Sequence, residues 1–187
     1  MYLDHIRGMR VVKRIFALIC LLSGTSMLHA QASPTASRVV DLKIGGGFTS
    51  AASDYGARMN GGMGYFDLDV TAHIGVEGEF HFITDGSQED LYEKTYELGG
   101  RYFRTYGKFA PYVKALYGRG VFNYPAYVVG GPHPNLAYNM FAGGAGVDYK
   151  AMTHVYVRGD VEFQRWLSFP PSGLTPTLLT IGVAYHF

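Results

Sequence analysis

From residue 40 to residue 187, apolar and polar positions alternate with a period of two in eight separate stretches. This is the signature of strands whose two faces meet different surroundings. The stretches are 40–48, 62–70, 73–83, 95–104, 109–118, 140–150, 155–167 and 177–187. Stretch 155–167 is the clearest: Val155, Val157, Val161 and Phe163 oppose Arg158, Asp160, Glu162 and Gln164. In 177–187, Leu179, Ile181, Val183, Tyr185 and Phe187 oppose Thr180, Gly182, Ala184 and His186. The pattern predicts an all-β chain.

Alternation alone also fits a soluble sandwich or a lipocalin-like barrel. Three features point instead to a membrane barrel. The polar face carries full charges in mid-strand, and the stretches are about ten residues long, as a tilted membrane strand requires. Short connections at Thr71-Ala72, Thr105-Tyr106-Gly107-Lys108 and Ala151-Met152-Thr153 alternate with longer ones at 49–61, 84–94, 119–139 and 168–176. Short periplasmic turns and longer outer loops are the outer-membrane habit. Aromatics also gather near strand ends, with Phe48, Tyr92, Trp166 and Phe169 at one side. Tyr102, Tyr106, Phe109, Tyr149, Tyr185 and Phe187 gather at the other, as in two interfacial girdles. The predicted fold is an eight-stranded antiparallel up-and-down transmembrane β-barrel, with both chain ends on the periplasmic side.

Composition supports one domain behind an export signal. Arg7, Arg10, Lys13 and Arg14 precede an apolar run over 15–28, and Ala30-Gln31-Ala32 reads as a cleavage site. Residues 1–32 are therefore expected to be a cleaved signal peptide and 33–187 the barrel domain. Met9-Arg10-Val11-Val12-Lys13-Arg14 is already a normal basic lead-in, so Met9 is an alternative start to Met1. Cys20, the only cysteine, lies inside the apolar run, so disulfide and thiol chemistry are not expected of the mature chain. The net charge of +1 and the lack of a basic stripe give no case for nucleic acid.

The tail Thr180-Ile181-Gly182-Val183-Ala184-Tyr185-His186-Phe187 looks like the terminal aromatic signal read by barrel-assembly machinery. Together with Ala110-Pro111-Tyr112-Val113-Lys114-Ala115, it resembles the OmpA-like eight-stranded outer-membrane barrel family. The resemblance implies a bacterial outer-membrane location and Tyr185 and Phe187 as the assembly signal. It also implies lipid and lipopolysaccharide neighbours and a monomer. The peptidoglycan-binding domain that often follows such barrels is not expected, and peptidoglycan anchoring is not carried over.

The polar rows gather candidate chemistry inside the barrel. The expected lumenal charge network comprises Asp41, Lys43, Asp67, Asp69, Glu77, Glu79, His81, Glu97, Arg101, Lys114, Asp148, Lys150, Arg158, Asp160 and Glu162. An eight-stranded barrel is just wide enough for its own side chains, so these charges must pair or be wetted. Arg158 is expected to pair with Glu97 or Asp148. A plug of paired charges is the first reading, and the excess of acids makes a narrow cation-selective channel the alternative. A lipid-modifying enzyme has less support. Its only foothold is His81 beside Glu77 and Glu79, with no His-x-Ser arrangement, while His133 and His154 stand alone. The cysteine and histidine spacing suggests no metal site, and no cofactor is expected. The leading expectation is a non-enzymatic barrel acting in support or surface contact. The aromatic connection 119–139, with Phe122-Asn123-Tyr124-Pro125, is the candidate site for an unidentified surface ligand.

Overall fold

The computed structural model describes residues 41–52, 58–86, 91–123, 135–169 and 173–187. The expected signal peptide, His133 and the tip of the 119–139 connection lie outside them. Eight strands follow in chain order: β1 (Asp41–Ala52), β2 (Arg58–Asp69), β3 (Ile74–Thr84), β4 (Tyr92–Phe103), β5 (Phe109–Asn123), β6 (Asn135–Lys150), β7 (Val155–Trp166) and β8 (Thr177–His186). Each pairs antiparallel with the next, and β8 returns to β1 to close the barrel. Closure leaves no strand edge, which a β-structure in lipid requires.

The faces sort as alternation dictates. Outward rows are large and apolar: Ile44 and Phe48 on β1, Phe80 and Phe82 on β3, Val113 and Tyr117 on β5, Leu179, Ile181 and Val183 on β8. Tyr102, Tyr106, Phe109, Tyr185 and Phe187 stand exposed at the short-turn end, and the Tyr185 and Phe187 rings meet edge to face at 5.0 Å. Inward rows carry the buried charges.

Several strands run further than the alternation predicts, always toward the long connections. β1 and β2 stay paired to Ala52↔Arg58, and β5 and β6 to Asn123↔Asn135. In this extension the polarity of the two faces inverts. Ser50, Ala52, Arg58, Asn60, Arg119, Asn139 and Arg165 occupy outward positions. Ala51, Met59, Ile83, Phe122, Met140, Trp166 and Leu178 point inward and are buried, with Glu93 and Asn123 buried among them. Outside the lipid the barrel is built like a soluble one. Trp166 and Phe169, expected in an interfacial girdle, instead sit in this inner apolar cluster. Trp166 has the same parity as Arg158, Asp160, Glu162 and Gln164, so it faces the lumen and is 0% exposed. Phe122, expected in a binding loop, is strand and core as well.

Candidate functional site

Three of the inward aromatic rings pack against glycines of other strands. A β-carbon on Gly45 would meet the Tyr65 ring at 2.5 Å, one on Gly146 the Tyr112 hydroxyl at 2.4 Å, and one on Gly120 the Trp166 ring at 2.4 Å. Without a side chain at these positions, the rings turn along the wall, where they flank the charged groups.

Toward the short-turn end, Arg158 is the hub. Its Nε donates to Asp148 Oδ1 at 2.8 Å, Nη1 to Glu77 Oε1 at 2.7 Å and Nη2 to Asp67 Oδ2 at 2.6 Å. Arg101 adds a bond to Asp148 Oδ2 at 2.9 Å and a close contact with Asp67. Asp67 and Glu77 are direct cross-strand partners, a like-charge juxtaposition that is destabilising by itself, so the two guanidinium groups hold them. The Arg158 guanidinium also lies 4.0 Å from the Tyr65 ring centroid and 4.7 Å from that of Tyr112. The expected partner Glu97 is not in this set; it accepts from Gln164 Nε2 at 3.0 Å. The reason is height along the barrel: Glu97 pairs with Glu79 in the β3–β4 register, one inward step above Glu77.

One level up, Lys114 Nζ lies 2.7 Å from Glu79, 2.9 Å from Asp160 and 2.8 Å from Glu162. Tyr112 donates to Asp160 at 2.7 Å and so joins the two clusters. His81 has Glu79 on one ring nitrogen and Thr49 on the other, each at 3.4 Å. Thr49 is linked to Thr180 at 2.8 Å. Gln164 bridges upward: its amide nitrogen serves Glu97 and Glu162, and its carbonyl accepts from Trp166 Nε1 at 3.0 Å. Above this begins a mainly apolar layer, in which Glu93 and Asn123 are also buried.

The remaining sequence candidates sit at the short-turn mouth. Lys43 donates to Asp69 at 2.5 Å, Asp41 contacts His186, and Lys150 lies 6.0 Å from the Tyr156 ring. His81 and Glu79 are buried inside the barrel, turned away from the lipid. His154 stacks on Tyr185 at the rim. Tyr65, Tyr112, Thr49 and Gln164 complete the site without having been singled out. Their parity was readable, but the glycines and carboxylates they face appear only with the register.

The sequence matches the family described as outer membrane protein beta-barrel domain over residues 16–187. The chain belongs to this family. It is an OmpA-like outer-membrane barrel and resides in the bacterial outer membrane. No curated protein matches the sequence. Among solved structures this outer-membrane barrel is similar to Ail, the attachment invasion locus protein of Yersinia pestis, at 17% identity and TM-score 0.56, covering 79% of this chain and 97% of that one. It is similar to Neisserial surface protein A at 14% identity and TM-score 0.61, with the same coverage. The N-terminal β-barrel domain of Pseudomonas aeruginosa OprF matches at 14% identity and TM-score 0.58, covering 78% and 97%. At such identities the likeness is one of fold.

Proposed function

We propose that this protein is a non-enzymatic envelope barrel, closed along its lumen by side chains, that presents the long-loop end at the cell surface for contact with a partner. The observation that carries the reading is the polarity inversion: paired strands continue beyond the apolar belt with a polar exterior and a packed interior. Such a stalk holds loops clear of the lipid, where small barrels place variable function. Lipopolysaccharide is the proposed lipid neighbour of the basic outward residues Arg58, Lys94, Arg119 and Arg165, which lie near the level where lipid phosphates would stand. Cysteine introduced as Ala126→Cys is expected to react with a membrane-impermeant maleimide on intact cells. Labelling only after the outer membrane is broken would reverse the orientation.

A second reading, a small cation-selective channel, draws on the acid excess in the lumen. Purified protein in planar bilayers is expected to be silent. Steady cation-selective openings, lost in Glu77→Gln, would establish the channel instead.

Assembly follows from the same reading. Phe187 continues the outward row of Val183 and Tyr185, and its amide bonds to the Leu42 carbonyl of β1 at 3.1 Å, next to the seam that closes the barrel. Deleting Phe187 is expected to lower outer-membrane yield and leave unassembled protein in the periplasm. An unchanged yield of folded, heat-modifiable protein would remove Phe187 from the assembly signal.

A further inference from the structure

The upper cluster contains more carboxyl groups than it has cations to match. Around the one ammonium, Lys114, stand Glu79, Asp160 and Glu162, with Glu97 joined to Glu162 through the shared Gln164 amide. All are buried. Among the described residues no second lysine or arginine reaches this level with an ion pair, and excess charge in a water-poor interior is costly. A histidine belongs to the cluster as well. Ligand atoms of Glu79, His81 and Glu162 all lie within 4.8 Å of one another.

A further carboxylate borders this cluster. Glu97 is 5% exposed and its second oxygen, Oε2, meets no hydrogen-bond partner among the described residues. It stands directly across the β3–β4 pair from Glu79. His81 is also oriented as metal-binding histidines are: one ring nitrogen faces the Thr49 hydroxyl, itself tied to Thr180, while the other turns to the carboxylates. A fixed outer partner of this kind sets the ring for coordination.

We infer that the barrel binds one divalent cation of zinc type inside the lumen, held by Glu79, His81 and Glu162, with Glu97 swinging in from across the β3–β4 pair as a fourth donor. Imidazole with carboxylates suits zinc better than calcium or magnesium, which prefer all-oxygen shells. Bond lengths of about 2.0–2.2 Å to zinc draw the three ligand atoms inward from their present spacing. Lys114 stays beside the ion on the Asp160 side, so the cluster moves toward neutrality without a new opening. The ion acts as a cross-link between β3, β4 and β7. Because the apolar layer and the arginine cluster cover the site at either end, the metal is taken up as the barrel folds.

The test uses the whole mature chain, unfolded in urea with chelator and refolded into detergent with excess Zn2+, with Co2+, with Ca2+ or with chelator alone. Folding is followed by heat-modifiable gel migration, and bound metal by mass spectrometry after desalting. The expected result is one zinc per folded chain, a visible Co2+ absorption band of low coordination number, and a higher melting temperature with zinc than with chelator. His81→Asn should weaken zinc binding by more than the ~10–100-fold that loss of an outer-shell partner costs, while His73→Asn in the β2–β3 turn should leave it unchanged. Lys114→Met removes a positive charge beside two ligands and should bind zinc more tightly, the opposite of the effect expected if Lys114 merely holds the site together. Folded wild-type protein without zinc after refolding in its excess, calcium bound equally well, or undiminished binding by His81→Asn would each overturn the assignment.

Discussion

Replacing Arg158 by alanine is expected to lower folding stability by about 3–5 kcal/mol, the range for removing one partner of a buried ionic cluster. Arg158 is 0% exposed and serves Asp67, Glu77 and Asp148 at once. The substitution leaves three carboxylates to Arg101 alone and also removes the guanidinium from between the Tyr65 and Tyr112 rings. Desolvated cation–π contacts of this kind are worth about 2 kcal/mol. Two further variants separate the charge effect from the packing effect. Arg158→Met alone should remain strongly destabilised. Arg158→Met combined with Asp67→Asn and Glu77→Gln should recover most of the loss, because the orphaned charges are then gone. Trp166 is the only tryptophan and lies inside the barrel, so its fluorescence during urea unfolding in detergent reports the transition. A loss for Arg158→Ala below about 0.5 kcal/mol, as for exposed pairs, would mean that water solvates these carboxylates in place of the arginine.

Ile181→Arg is expected to cost about 2–4 kcal/mol in a bilayer, as a cation on the lipid face near mid-membrane does. Ile181 is 66% exposed on the outward face of β8, between Phe48 of β1 and Gly159 of β7. Its neighbour Thr180 points the other way and shares a hydroxyl bond with Thr49. Thr180→Val should therefore cost only about 1 kcal/mol, the net worth of one hydrogen bond. Unfolding equilibria in vesicles measure both. Near-neutrality of Ile181→Arg would place that height of β8 in water and move the apolar belt.

The fold was legible because membrane barrels write it twice, once in parity and once in the alternation of short and long connections. Every short turn, from Val70 to Ile74, Arg104 to Phe109 and Ala151 to Val155, lies where the pattern breaks. The far ends of the strands were not legible, for a physical reason. Past the lipid, outward positions become Ser50, Arg58 and Asn139 while inward ones become Ala51, Met59 and Met140, so a rule that sends apolar residues outward stops seeing strands there. Trp166 shows that parity was the better guide: its register with Gln164 and Glu162 placed it inside, whereas its aromatic character suggested the rim. The charged rows could be read as inward, but which carboxylate meets Arg158 depends on height across several strands, and a single strand's sequence carries no record of that. Phe169 was beyond reach, since it enters the core only after the chain folds back to pair Trp166 with Leu174.

The two layers of the lumen also bear on permeation. An ion travelling from the short-turn end would first have to displace bound guanidinium and ammonium groups from their carboxylates. It would then meet the packed side chains of Phe122, Met140, Trp166 and Phe169, with the buried Glu93 and Asn123 among them. The two obstacles lie in series and are unlike in kind, so the larger one sets the resistance of the whole path. On the proposed reading, neutralising Glu77 or Glu79 would leave the upper packed layer in place, and trimming Trp166 would leave the ionic layer in place. Under the proposed plug, conduction would need both layers to rearrange, and both hang on β7, which carries Arg158 and Trp166 eight residues apart.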